Sequence, residues 1–317
     1  MNRKIILLSS VFAVLLSLVL FKTLNNHETK IEHPPSPSYE DLSRTASIEI
    51  SSGDKKIKLY LEDSKWKVEN RFGFNADFKK ISSLIKELES AEVIHSYDRT
   101  EKFIEEFGLA QNDKNTDQIS LALKDQNGTP LFQILFGKQR KKGGTYFLIP
   151  GNEKIYLAKN EVDIDTDPTN WVLKELLDIK DQKIVKAAVF DSRSNKILEI
   201  KRSDKNFEPV FPQNMKSFDT SKIKDFFSFP ENLSFSEIEE EKKNRKEEYR
   251  FEFTLENKGE IIISVVNRKK RLISVKTEDT LESEINFSRK MENYIFEISE
   301  FDFESLLFSP EDLLPGN

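Results

Sequence analysis

Asp163, Asp165 and Asp167, alternating with Ile164 and Thr166, have the spacing of a cation site. Alternating carboxylates open the calcium loop of helix-loop-helix proteins, where oxygens at the first, third and fifth positions face one ion. The rest of that loop is missing. Pro168 stands where a glycine must make the sharp turn, and Lys174 stands where a bidentate glutamate closes the cage. The segment therefore reads as a solvated turn capping a helix at Trp171, with weak calcium binding as the alternative. Other metal chemistry finds little support. The three histidines are His27, His33 and His95, none has a second ligand at metal spacing, and the chain contains no cysteine. No nucleophile elbow and no Gly-rich phosphate loop occurs. No cofactor is expected, and the chain reads as a non-enzyme. An uncharacterised hydrolase stays open as a third reading, because two carboxylates held the right distance apart suffice for glycoside chemistry.

A second group of residues has the chemistry of anion contact. Lys138, Arg140, Lys141 and Lys142 fall between two alternating segments, and Arg268, Lys269, Lys270 and Arg271 fall at the corresponding place in the second half of the chain. Each cation held close to an anionic headgroup layer contributes about 1 kcal/mol of attraction. An acidic partner is the competing use. The plain use is a charged turn that keeps a hairpin soluble and discourages edge pairing. These eight residues form the candidate anionic-contact set.

The segments that must carry these residues begin behind an unusual leader. Asn2-Arg3-Lys4 precede a run from Ile5 to Phe21 interrupted only by Ser9, Ser10 and Ser17. As a helix this run spans roughly 26 Å, close to the hydrocarbon thickness of a bilayer. The basic residues ahead of it favour retention of that end in the cytoplasm. The run is long for a signal-peptide core, and no small-residue pair follows at the spacing a signal peptidase reads. Residues 1–4 are thus expected as a cytoplasmic tip, 5–21 as an uncleaved transmembrane anchor, with a cleaved signal as the alternative, and 22–46 as a stalk stiffened by Pro34, Pro35 and Pro37. Hydrophobic residues at 37% and charged residues at 33% describe a globular body with a charged surface behind it. The net charge of −6 is dispersed, so nucleic acid is not an expected partner.

The body divides by pattern into two similar halves. In the first, Ile57, Leu59 and Leu61 alternate with polar residues, and Asp63-Ser64 turns the chain into Trp66-Lys67-Val68, which predicts a hairpin. Asp77 then opens a helix with apolar residues at Phe78, Ile81, Leu84, Ile85 and Leu88. Phe103 to Phe107 reads as a short helix stopped at Gly108. Strands follow at Ile119–Leu123, Leu131–Phe136, Thr145–Ile149 and Ile155–Leu157, and Trp171 to Leu177 is expected to close the unit as a helix. The order recurs after Asp181. Phe207 takes the place of Trp66, Phe218-Asp219 opens a helix through Ile223, Phe226 and Phe227, and alternating strands lead to a closing helix from Phe301 to Phe308. The expected class is α+β: an N-terminal transmembrane helix followed by two tandem repeats of antiparallel hairpin, helix and β-meander. Residues 47–178 form the first repeat, 179–310 the second and 311–317 a tail.

Certain of these residues carry a resemblance. The stretch Ile57 to Leu61, Ser64-Lys65-Trp66-Lys67-Val68, the helix Asp77 to Leu88, Phe107-Gly108-Leu109, Phe136-Gly137 and Tyr146 resembles the bacterial family called domain of unknown function 4340. The sequence departs from that pattern where Arg71-Phe72-Gly73-Phe74 replaces a proline-rich step. The resemblance implies an N-terminal membrane segment, a repeated strand and helix order and, for some members, a link to gliding-motility-type ABC transporter operons. It transfers no catalytic residue. The expected role is a membrane-anchored extracytoplasmic binding or scaffold protein of the bacterial envelope, accessory to an ABC-type export system. It would be single-pass in the inner membrane with its N-terminus inside. The alternative is an envelope glycan or lipid binding protein with a groove between the repeats, where Trp66, Trp171 and Tyr146 would stack on the ligand or else fill the core.

Overall fold

The computed structural model describes residues 36–110, 118–180, 183–203, 206–213, 215, 218–241, 246–277 and 289–314. The chain separates into two compact units, Met1–Trp171 and Val172–Asn317. In the first, helix α1 (Tyr39–Arg44) precedes strands β1 (Ser47–Ser52), β2 (Lys55–Glu62), β3 (Lys65–Val68) and β4 (Phe74–Asn75). Helix α2 (Phe78–Glu89), β5 (Val93–Asp98), helix α3 (Glu101–Glu106) and strands β6 (Ile119–Lys124), β7 (Pro130–Gln139), β8 (Thr145–Leu148) and β9 (Lys154–Ala158) follow. All strands join one antiparallel sheet in the order β4-β3-β2-β1-β6-β7-β8-β9-β5.

Local chemistry accounts for the turns. Asp63 and Ser64 both take positive φ, 51° and 61°, the mirror-image turn whose twist matches the flanking strands β2 and β3. The Asp77 carboxylate accepts from the Lys79 and Lys80 amides and starts α2, which buries Ile81, Leu84 and Leu88. Leu88 lies beside Ile134 and Phe136 of β7, so α2 covers that face of the sheet. On the opposite face, α3 and the residues up to Leu109 cover the β7-to-β5 end. There Phe107, Leu109, Leu135, Leu148 and Ile155 form one cluster with Phe103 and Ile104 packed against it.

The second unit contains β10 (Glu175–Leu177), β11 (Ile184–Asp191), β12 (Lys196–Ser203), β13 (Asn206–Phe211) and helix α4 (Thr220–Ser228). Strands β14 (Leu233–Glu240), β15 (Tyr249–Leu255), β16 (Glu260–Asn267), β17 (Leu272–Thr277) and β18 (Tyr294–Ile298) and helix α5 (Glu300–Glu304) complete it. Its sheet order is β10-β14-β18-β17-β16-β15-β11-β12-β13, again antiparallel. Read from the far end, β13 to β14 occupy the same succession of places as β3 to β5 in the first sheet, with α4 in the place of α2. Phe226 of α4 lies 5.3 Å from Phe253 and 5.9 Å from Phe251, ring centre to ring centre, so α4 packs on β15.

The units also close alike. The Asp77 amide donates to the Trp171 carbonyl and the Asp219 amide to the Leu313 carbonyl, in each case joining the start of the long helix to a terminal 3-10 turn. These turns are Pro168–Trp171 and Pro310–Leu313. From the same helical turn, Lys80 Nζ donates to the Asn170 carbonyl at 3.2 Å and Lys222 Nζ to the Asp312 carbonyl at 3.0 Å.

Several expectations are corrected. The class is mostly β, built on two large antiparallel sheets, not α+β. Strands β1, β11 and β14 account for much of the difference. Each runs through a stretch assigned no element from the sequence, and β1 and β11 lie inside their sheets, fourth and third from one edge. The helix expected over Trp171–Leu177 is a 3-10 turn ending at Trp171 followed by β10, which pairs with β14 and so belongs to the second sheet. The two leucines of β10 are buried there, which rewards an extended backbone over a helical one. The closing helix near Phe301–Phe308 stops at Glu304. A transmembrane helix is not supported: no helix among the described residues is long and apolar enough to cross a membrane. The run expected to do so, 5–21, lies outside the described residues, as do 22–35 of the stalk with His27 and His33.

Candidate functional site: two basic hairpin turns

The two basic clusters occupy equivalent turns. Arg140, Lys141 and Lys142 follow β7 and lead into β8, and Arg268 to Arg271 connect β16 to β17, the counterpart pair of the second sheet. The turns are made by different backbone means. In the first, the Arg140 amide bonds the Gly144 carbonyl at 2.8 Å, and Gly143 and Gly144 take φ of 85° and 98°. A side chain on Gly144 would also meet the Ala158 carbonyl at 2.4 Å. The second turn has no glycine. Its sharp step falls on Arg271 at φ 53°, and the Asn267 side-chain oxygen accepts from the Lys270 amide at 3.0 Å.

The eight cations are not equally free to meet an anion. Lys138 lies on β7 with its stem packed over Gly108, and its ammonium donates to the Glu106 carbonyl at the end of α3, where the helix dipole favours a cation. Arg268 lies over the Phe308 ring at 4.2 Å. Arg271 donates from Nε to the Ile298 carbonyl at 3.2 Å and pairs with Glu297 at 3.3 Å. Lys141, Lys142, Lys269 and Lys270 are exposed at the tips, and Lys138 and Arg268 are exposed as well despite their contacts. Arg140 is half-buried beside Tyr146, with no carboxylate paired to it among the described residues. Burial pushes the Tyr146 phenol above its ordinary pKa, with Tyr97 adding to the shift.

The other residues singled out from the sequence fall elsewhere. Asp165 accepts from Lys80 at 2.7 Å, and Asp167 accepts from the Thr169 amide at 2.8 Å and pairs with Arg71 at 3.5 Å. Both carboxylates are engaged by protein donors at or beside the 3-10 turn. Among the described residues no cluster of histidine, aspartate and glutamate has metal-holding geometry. Trp171 is buried, with Nε1 donating to the Asp165 carbonyl at 3.0 Å, so it is a core residue unavailable for stacking. His95 is exposed on the terminal strand β5, its ring 4.5 Å from that of Tyr97.

Residues far apart in sequence meet beneath the first basic turn. Phe107 and Tyr146 stack at 3.9 Å, and the Lys138 amide donates to the Phe107 carbonyl at 2.8 Å. Gly137 packs against that same carbonyl so closely that a Cβ would lie 2.2 Å from it. These are residues of Phe107-Gly108-Leu109, Phe136-Gly137 and Tyr146, and they form the floor on which the turn stands. A family model, Domain of unknown function (DUF4340), matches residues 66–253. The chain belongs to the DUF4340 family. The match begins on β3 and ends on β15, so the DUF4340 segment takes in most of the first sheet, both long helices and part of the second sheet. No curated protein matches this DUF4340 chain.

Sequence reasoning missed the inequality within the basic set. Arg271 is held by Ile298 and Glu297, which precede the last helix, and Arg268 by Phe308, which follows it. No local signal in the turn reveals either partner. The one available hint was the absence of glycine in the second turn, which requires another residue to take the left-handed conformation.

Proposed function

We propose that this protein is an extracytoplasmic binding or scaffold component of the bacterial envelope, accessory to an ABC-type export system, that meets an acidic partner surface through its two basic turns. One observation carries the reading: equivalent turns of two like sheets, differently constructed, both present adjacent exposed lysines, Lys141-Lys142 and Lys269-Lys270. Neither turn, 138–144 nor 267–272, contains a carboxylate, so the cations are not offset within the turn itself. Arg3 and Lys4 ahead of the apolar run 5–21 support placement of the body outside the cytoplasm. Opposite charge across such a contact raises association rate and fixes register more than it adds affinity.

The test uses the full-length chain in its own membrane, with photo-crosslinking side chains at Lys142 and Lys270. Cross-links to a transporter component are expected, and they are expected to disappear when Lys141, Lys142, Lys269 and Lys270 are all changed to Glu. Unchanged cross-links in that variant, or cross-links to lipid alone, would overturn the proposal.

A further inference from the structure

The two sheets differ at one edge, and the difference points to a second contact. In the second unit the outer side of β14 is covered by β10, three residues contributed by the stretch just ahead of β11. Leu176 and Leu177 of that strand are 2% and 1% exposed, and the Lys174 carbonyl accepts from the Phe235 amide at 3.1 Å. Among the described residues the first unit has no such cover. Its stretch ahead of β1 is the helix α1, which lies by the β6–β7 turn, with Arg44 3.9 Å from Asp125 and the Ala46 amide bonded to the Lys124 carbonyl. Strand β5, which holds the place of β14, ends the sheet, and among the described residues no strand pairs with its outer side.

We infer that the outer edge of β5 accepts an extended segment of a partner protein carrying two adjacent apolar residues, as β14 accepts β10. The backbone geometry is suited to it. The Arg99 amide bonds the Glu153 carbonyl, and Tyr97 lies opposite Ile155. By alternation, Ser96 and Asp98 turn their own N–H and C=O groups away from β9. A bulge between Val93 and His95 limits the usable edge to a few residues, which fits an insert as short as β10. The incoming apolar pair would meet β5 beside the half-buried Tyr97, which lies opposite Ile155 of β9. Main-chain pairing would supply affinity and the apolar pair specificity.

This inference rests on the reading of the chain as a protein-binding component, but its test is independent of the basic turns. The probe is a synthetic peptide of residues 172–179, added to the full-length chain. Because β14 already carries its own copy of this strand, the peptide should slow hydrogen exchange at Ser96 and Asp98 and leave β14 unchanged. Ser96→Pro removes an outward amide at an edge that tolerates proline, so thermal unfolding should be unaltered while peptide affinity falls about tenfold. A peptide with both leucines changed to Asp should not bind. Absence of binding at saturating peptide, equal binding by Ser96→Pro, or equal binding of the Asp peptide would each overturn the inference. So would concentration-dependent self-association abolished by Ser96→Pro, which would give the edge to a second copy. Binding that appears only after deletion of residues 22–35 would give it to the chain's own N-terminal stretch. Failure of the peptide with the cross-links of the basic turns intact would sink this proposal alone.

Discussion

Replacing Lys80 and Lys222 separately by Met should destabilise the protein in both cases, and the coupling of Lys80 to Asp165 follows from what its ammonium touches. Both lysines sit in the first turn of a long helix, where the dipole disfavours a cation by about 0.3–1 kcal/mol. Both are held there by the carbonyls of a terminal 3-10 turn. Lys222 reaches Asp312 at 3.0 Å and Leu314 at 3.4 Å. Hydrogen bonds from a charged donor contribute about 1.5–3 kcal/mol, so after relief of the dipole term Lys222→Met should cost about 1–2 kcal/mol. Lys80 bonds Asn170 at 3.2 Å, pairs with Asp165 at 2.7 Å and stands 4.9 Å over the Trp171 ring. Lys80→Met strands a half-buried carboxylate and removes the cation from the ring, adding about 1–2 kcal/mol for a total of about 2–4 kcal/mol. Urea unfolding measures both. The two tryptophans, Trp66 and Trp171, belong to the first unit, so their emission reports Lys80→Met, whereas circular dichroism is needed for Lys222→Met. The double variant Lys80→Met, Asp165→Asn should be less destabilised than the sum of its parts. Strict additivity at the Lys80–Asp165 pair would refute the reasoning.

Acid titration should show the same carboxylate. Burial raises the Asp165 pKa, but the Lys80 ammonium and the Asp167 amide outweigh burial and hold it below the ordinary range. Its contribution is therefore complete above the unfolded value of about 3.9 and is lost as pH falls through the lower folded value. Asp165→Asn should flatten that acid limb of the stability curve, and an unchanged limb would count against the pairing. Phe226→Ala removes a fully buried ring that meets Phe227, Phe251 and Phe253, and it should cost about 3–5 kcal/mol by urea denaturation. Gly137→Ala should cost about 1–3 kcal/mol by the same assay, since its Cβ collides with the Phe107 carbonyl and only backbone movement relieves it. A neutral Gly137→Ala would mean that β7 and the Phe107 loop can separate freely.

Local chemistry along the chain was sufficient for the elements that depend on it. Asp77 and Asp219 name their helices because a carboxylate at that position bonds the amides that follow, whatever surrounds it. The hairpin at Asp63-Ser64 and the stop at Gly108, with φ of 70°, are local in the same sense. The basic residues of both turns were also legible, as was the family to which their supporting residues point. What required tertiary structure depends on partners distant in sequence. Strand β10 looks helical until β14 is beside it, and β1 and β11 become interior strands only because the sheet closes around them. Arg268 and Arg271 carry the same charge as Lys269 and Lys270, but Phe308, Ile298 and Glu297 hold them in place. The outer position of β5, with no strand beyond it among the described residues, was equally invisible, because an edge is defined by what does not pair there. Charge and capping act over a few residues of chain, whereas strand partnership and the availability of a side chain are set by neighbours that only folding brings together.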